Sequence, residues 1–180
     1  IKYYSLEKLT DNKKEYQKHL DYFINLFSLS DYNKKGFGVH EWISFTGPEI
    51  DNMRMSIQWG AENNPEDTVR LVINAFDFFI FKSYVREGFE TSLKILNSAT
   101  IADKKLKVQV LNKIAQYCYL LGEFTELEKF SIEAINISRE LNYKEGIIVS
   151  LNTQSLKAYA ELNFDYAAKL NEEALSLSIE

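Results

Sequence analysis

Gly122-Glu123-Phe124, followed by Ala134-Ile135 twelve residues after the glycine, is the stretch that decides how this chain reads. Forty residues on, Leu162-Asn163-Phe164 is followed by Ala174-Leu175 at the same offset. Thirty-nine residues back, Ser83-Tyr84-Val85 is followed by Ile95-Leu96, again twelve apart. A tight turn followed by a helical apolar pattern, recurring at a fixed spacing, is the mark of stacked helix pairs. Small residues are needed where helix backbones approach, and Gly88, Ala115, Ala134 and Ala167 stand at such places. Phe124, Phe130, Phe164 and Leu170 are suited to fill the grooves between helices. One pair cannot bury both of its apolar faces, so neighbours must stack. A charge in place of Ala134 is expected to cost several kcal/mol, because it would be buried without a partner.

Working outward, only helical patterns occur from Pro65 onward. Breaks are expected near Ser83, at 98–102, at Gly122, at 141–144 and near Asn163. The run Phe76-Asp77-Phe78-Phe79-Ile80-Phe81 is strand-like in isolation but reads as buried helix within a longer helical stretch. Toward the N-terminus, Leu6, Leu9, Tyr16, Leu20, Phe23, Ile24 and Phe27 recur at helical steps over residues 5–30. Asp11 and Asn12 could divide that span into two helices. Residues 30–38 are loop by composition, and a short helix follows over 39–45. Pro48 and Pro65 each follow polar residues and precede acids, which suits the first turn of a helix. The expected fold is an all-α solenoid, a right-handed superhelix of antiparallel helix pairs. It has an N-terminal helical segment over 1–64 and three pairs over 65–101, 102–141 and 142–180.

Composition removes several classes of function. The 180 residues hold one Cys, two Pro and two His, with 46% hydrophobic residues and a net charge of −5. That is enough apolar content for a packed core, and one cysteine cannot make an internal disulfide. The negative balance argues against a nucleic-acid backbone partner, and Lys104-Lys105-Lys107 is too small a cluster to reverse this. No apolar run is long enough to span a membrane. No catalytic residues, metal ligands or cofactors are identified. Gly36-Phe37-Gly38 lacks the third glycine of a phosphate-binding loop. His40-Glu41 lacks the second histidine of a zinc motif. His19 reads as a packed, hydrogen-bonded side chain and Cys118 as a small buried hydrophobe. Acidic pairs such as Glu172-Glu173 fall on solvated faces.

Helix pairs with this spacing resemble tetratricopeptide (TPR) repeats in a form lengthened to about 40 residues. Leu111, Ile114, Ala115, Gly122, Phe124, Ala134 and Ile135 carry the match. The third unit departs from it at Gln154, Ser155 and Leu162. Upstream stand Tyr4-Ser5-Leu6-Glu7-Lys8-Leu9, His19-Leu20-Asp21-Tyr22-Phe23, Trp42 and Asp51-Asn52-Met53-Arg54-Met55-Ser56-Ile57-Gln58-Trp59. That series is similar to the segment after the ATPase module in bacterial STAND-type signal-transduction ATPases. These include regulators related to LuxR-type and SARP-type transcription factors and relatives fused to nucleotide cyclases. The resemblance implies a cytoplasmic, non-enzymatic sensor or protein-interaction module, communicating with ATPase and effector domains of a parent chain. One alternative is a TPR scaffold or adaptor attached to a cyclase or kinase. Another is an enzyme with a small-molecule site between the N-terminal segment and the first pair.

In stacked pairs the first helix of each pair lines the concave groove. Alignment of the three units puts Arg70, Asn74, Asp77 and Phe81 there from the first. The second supplies Gln109, Asn112, Lys113, Gln116 and Tyr119, and the third Asn152, Thr153, Leu156 and Tyr159. Amides for backbone hydrogen bonds and aromatics as anchors suit a peptide or protein partner. Some TPR domains clamp a peptide carboxylate with Lys and Asn; Ile73 and Asp77 occupy two of those positions, so no clamp is expected. Leu175 and Leu177 are expected to expose an apolar face, covered by a further repeat of the parent or by self-association.

Overall fold

The computed structural model describes residues 13–28, 36, 38–98 and 100–179. Every regular element among them is helical. The α-helices are α1 (Lys13–Leu26), α2 (Val39–Thr46), α3 (Ile50–Asn63), α4 (Pro65–Asn74), α5 (Phe76–Phe81), α6 (Val85–Ser98), α7 (Lys104–Leu121), α8 (Phe124–Glu140), α9 (Lys144–Ala160) and α10 (Phe164–Ile179). A 3-10 turn over Gly47–Glu49 joins α2 to α3, with Pro48 in its first turn. Residues 5–12, 29–35 and 37, where part of the N-terminal helix and loop was expected, lie outside the described residues.

Four turns have one geometry. Ser83, Gly122, Asn142 and Leu162 all take a left-handed conformation, with φ of 59°, 74°, 50° and 59°. At each, two backbone bonds close the preceding helix. Gly122 N–H donates to Tyr119 O and Glu123 N–H to Cys118 O. Asn142 and Tyr143 do the same to Arg139 and Ser138, and Leu162 and Asn163 to Tyr159 and Ala158. Ser83 and Tyr84 bond Ile80 and Phe79. This is the Schellman closure, in which a left-handed residue satisfies carbonyls that a helix end leaves open. Two residues after the left-handed one the next helix begins. Helices joined so tightly and packed together must run antiparallel, and α7 packs on α8 and α9 on α10. The turn recurs at the spacing the sequence shows.

Other starts use side chains. Asn64 caps α4 by accepting from Asp67 N–H, with Pro65 in the first turn. Asp103 caps α7 by accepting from the Lys105 and Leu106 N–H groups. Glu66 Oε1 accepts from Ala102 and Asp103 N–H (2.8 and 3.1 Å), pinning the loop before α7 to the start of α4.

Each helix from α6 onward packs on its sequence neighbours, and α4 also touches α7, and α7 touches α9. Within this stack α1 lies on α3 and α4. Trp42 Nε1 donates to Leu26 O and Asn74 Nδ2 to Ile24 O, so carbonyls at the C-terminal end of α1 are satisfied from two other helices. One apolar cluster runs unbroken from Leu20, Phe23, Phe27 and Trp42 through Phe78 and Phe79 to Tyr117, Leu127 and Ala134. The helices before Pro65 therefore share their core with the helices from α4 through α8. A second, smaller cluster of Ile135, Ile147, Leu151, Leu170 and Ala174 holds the last pair.

Two expectations change. The helix through Phe76–Phe81 is broken from α4 by a turn at Ala75. Leu175 is 60% exposed as expected, but Leu177 packs against the small cluster; Phe164, Tyr166 and Ile179 of α10 are exposed as well.

Candidate functional site

The groove residues are positioned by α5, α7 and α9. Gln116, Tyr119, Asn152, Thr153 and Leu156 line one open cavity of about 360 Å³ together with Phe76, Ile80, Leu120 and Val149. Five of the thirteen residues singled out from the sequence thus meet in one place. Gln116 and Asn152 offer amides, and the remaining surface is largely apolar. Such a cavity can hold one or two apolar side chains of an extended peptide, with amides placed for its backbone.

The other eight are placed differently. Asn112 is a correction: it is buried, its Nδ2 donates to Gly146 O (3.2 Å) and its Oδ1 accepts from Ser150 Oγ (2.5 Å). It fastens α7 to α9 and offers nothing to the groove. Asn74 is likewise committed to Ile24 O. Arg70 lies beside Asp67 and Asp103 on the surface (3.5 and 3.9 Å). Gln109 donates to Tyr143 Oη at 3.4 Å. Tyr159 packs edge-on against Phe164 across the turn from α9 to α10. Phe81 is exposed outside the cavity.

Lys113 and Asp77 do not line the cavity. The Lys113 ammonium lies 3.9 Å from the centre of the Phe76 ring, a cation–π contact. Burial lowers its pKa, and the Asp77 carboxylate partly opposes that. Phe76 in turn packs on Tyr117, ring centres 4.7 Å apart. The buried Tyr117 hydroxyl has no hydrogen-bond partner; burial raises its pKa, and Asp77 adds to the shift. A Cβ added to Gly88 would stand 2.5 Å from that hydroxyl, so glycine there makes room for the ring.

Four lining residues were not foreseen. Leu120 is one turn beyond Gln116 and Val149 one turn before Thr153, so the helical face could have supplied both. Phe76 and Ile80 replace the expected Asp77 and Phe81. Extending the phase of α4 past residue 74 selects the latter two; the turn at Ala75 resets that phase, and no proline or glycine marks it.

A second cavity of about 410 Å³ opens between α3 and α6, floored by Ile57, Ala61, Phe79 and Ile95. Its edge is closed by Arg54, which donates twice to Glu87 (2.7 and 2.8 Å) and once to Asp51 (3.0 Å). These bonds, the Glu87 pair foremost, hold the guanidinium pKa above its usual value.

The remaining titratable candidates are packed. His19 Nδ1 shares a 2.6 Å bond with Ser56 Oγ and meets the Phe23 ring edge-on. Burial lowers its pKa, with Glu49 acting in the opposite sense. Cys118 is buried, and its thiol is pushed up to about 12 by burial first and then by Glu123 and Glu126. Such a thiol is poorly nucleophilic. Among the described residues no three His, Cys, Asp or Glu side chains are grouped to hold a metal ion, and no helix is long and apolar enough to cross a membrane. No family model matches the chain, and neither does any curated protein or solved structure.

Proposed function

We propose that this chain is a non-catalytic interaction or sensor module with a TPR-like stack of helix pairs, binding a peptide or protein partner in the groove between α5, α7 and α9. The observation that carries the reading is the convergence of Gln116, Tyr119, Asn152 and Leu156, from two helices, on one apolar cavity. Its lining suits recognition: apolar surface to anchor a side chain, and amides to meet a peptide backbone. The same reading makes the module part of a larger bacterial signalling ATPase. The adaptor alternative differs only in what the parent chain carries, and the complete gene separates the two: a phosphate-binding loop upstream supports the ATPase, and its absence removes it.

The groove is tested by panning a displayed peptide library on the chain and measuring the selected peptides against two variants. Tyr119→Ala and Leu156→Glu should each weaken binding by about tenfold or more, with the melting temperature nearly unchanged. Peptides that bind both variants as well as the native chain would remove the groove as the site.

A further inference from the structure

α3 and α6 stand on either side of α4, which packs on both. They run in the same direction. Arg54 and Glu87, each near the start of its helix, are joined by bonds of 2.7 and 2.8 Å. Ala61 and Ser98, each near the end, line the same cavity of about 410 Å³. The Arg54–Glu87 pair sets the register between the two helices, and side chains four and eight residues further on lie on nearly the same stripe. Four residues on, Gln58 stands opposite Thr91. Eight on, Glu62 stands opposite Lys94 and Ile95. All five line the cavity. The register thus sets an acid against a base a second time, but here the cavity separates the walls. Among the described residues, the side chains of Glu62, Lys94, Gln58 and Thr91 make no ion pair or hydrogen bond with one another or with any other group.

We infer that this cavity binds a small zwitterion with an apolar body, the chemistry of a free α-amino acid with a large apolar side chain. The two walls differ in sense. α3 presents the Glu62 carboxylate and the Gln58 amide oxygen, which accept from an ammonium group. α6 presents the Lys94 ammonium and the Thr91 hydroxyl, which donate to a carboxylate. Between them the floor of Ile57, Ala61, Phe79 and Ile95 is apolar. A zwitterion placed there completes the unmade pair through its own two charges, while its side chain covers the floor. A singly charged ligand leaves one wall unanswered. The backbone inside a polypeptide, of this chain or another, carries neither charge.

Size and position fit this class of ligand. Small-molecule sites are mostly apolar clefts of roughly 300–1,000 Å³ with a few placed polar groups, and this cavity lies toward the small end of that range. Arg54 is saturated by Glu87 and Asp51, so it closes one end and leaves recognition to Glu62 and Lys94. The cavity is separate from the proposed peptide groove. α5 lends Phe79 to the one and Ile80 to the other, and no residue lines both. The inference therefore does not rest on the groove.

The test titrates the full chain with L-phenylalanine and L-leucine by isothermal titration calorimetry. Saturable binding is expected. Lys94→Gln and Glu62→Gln, both at exposed positions, should each weaken it at least about tenfold with the melting temperature nearly unchanged. N-acetyl-L-phenylalanine lacks the ammonium and L-phenylalanine amide lacks the carboxylate. Each should bind at least about tenfold more weakly than the free amino acid. Tyr119→Ala, in the groove, should leave binding unchanged. Absence of saturable binding by both amino acids overturns the inference. So does binding that survives both charge substitutions, or that the capped derivatives match, because the charges are then not read. Binding lost in Tyr119→Ala places the ligand in the groove and also overturns it.

Discussion

Leu162 is the residue whose backbone and side chain disagree most plainly. It holds φ of 59° and is 74% exposed, so it takes a left-handed conformation with little burial in return. Gly122 occupies the equivalent turn forty residues earlier at 74°. A Cβ in this region costs about 1–2 kcal/mol, and glycine gives part of that back through its freer unfolded chain. Leu162→Gly is expected to stabilise the chain by about 1 kcal/mol, read from urea denaturation midpoints at unchanged m-value. A loss of stability would mean that Leu162 contributes packing its exposure does not reveal. Asn142 needs no such correction, since asparagine tolerates the left-handed region better than other non-glycine residues.

At the scale of elements, what holds one helix pair to the next is a mixed contact of glycine, hydroxyl, amide and aliphatic groups. The ion pairs across it, Lys157 with Glu128 and Arg139 with Glu173, both include exposed partners and contribute little. The bonds of Asn112 are buried and contribute more. Asn112→Ala is expected to cost about 2 kcal/mol, because it removes two buried hydrogen bonds and leaves a small void. Asn152→Ala, at the matched but exposed position, should stay within about 0.5 kcal/mol. Equal costs in chemical denaturation would remove the distinction between the covered and the open face. The turn at Ala75 is the other lesson at this scale. It moves Phe76 and Ile80 into the groove, and Phe76 then carries the Lys113 ammonium.

Across the whole molecule, stability is unevenly distributed. The larger cluster unites α1 and α2 with the helices through α8, whereas the smaller cluster that holds the last two helices has five members, from α8, α9 and α10. Helices held by the fewest buried apolar residues open first. Amides of α10 are therefore expected to exchange faster than those of α7 by at least about tenfold in native-state hydrogen exchange. Uniform protection across both helices would show that the chain opens as one unit. The groove lies between the well-held α7 and the less-held α9, so partner binding should raise protection in α9 most.

How much was legible in the sequence depends on how local the cause was. The helical class, the 39- and 40-residue turn spacing, the roles of Asn64-Pro65 and the packed character of His19 and Cys118 follow from residues near one another in the chain. They rest on propensity, capping and apolar periodicity, which act over one or two helical turns. Tertiary structure decided the rest. Asn112 and Asn152 have the same side chain and matched helical positions, yet only the first is covered by a following helix. No local signal distinguishes them, because their difference lies in what packs against them. The break at Ala75 carries no proline or glycine, and it redirected the groove by one residue. The residue types that can line a face are written along the chain; which face is open, and at what phase, is fixed when the helices pack.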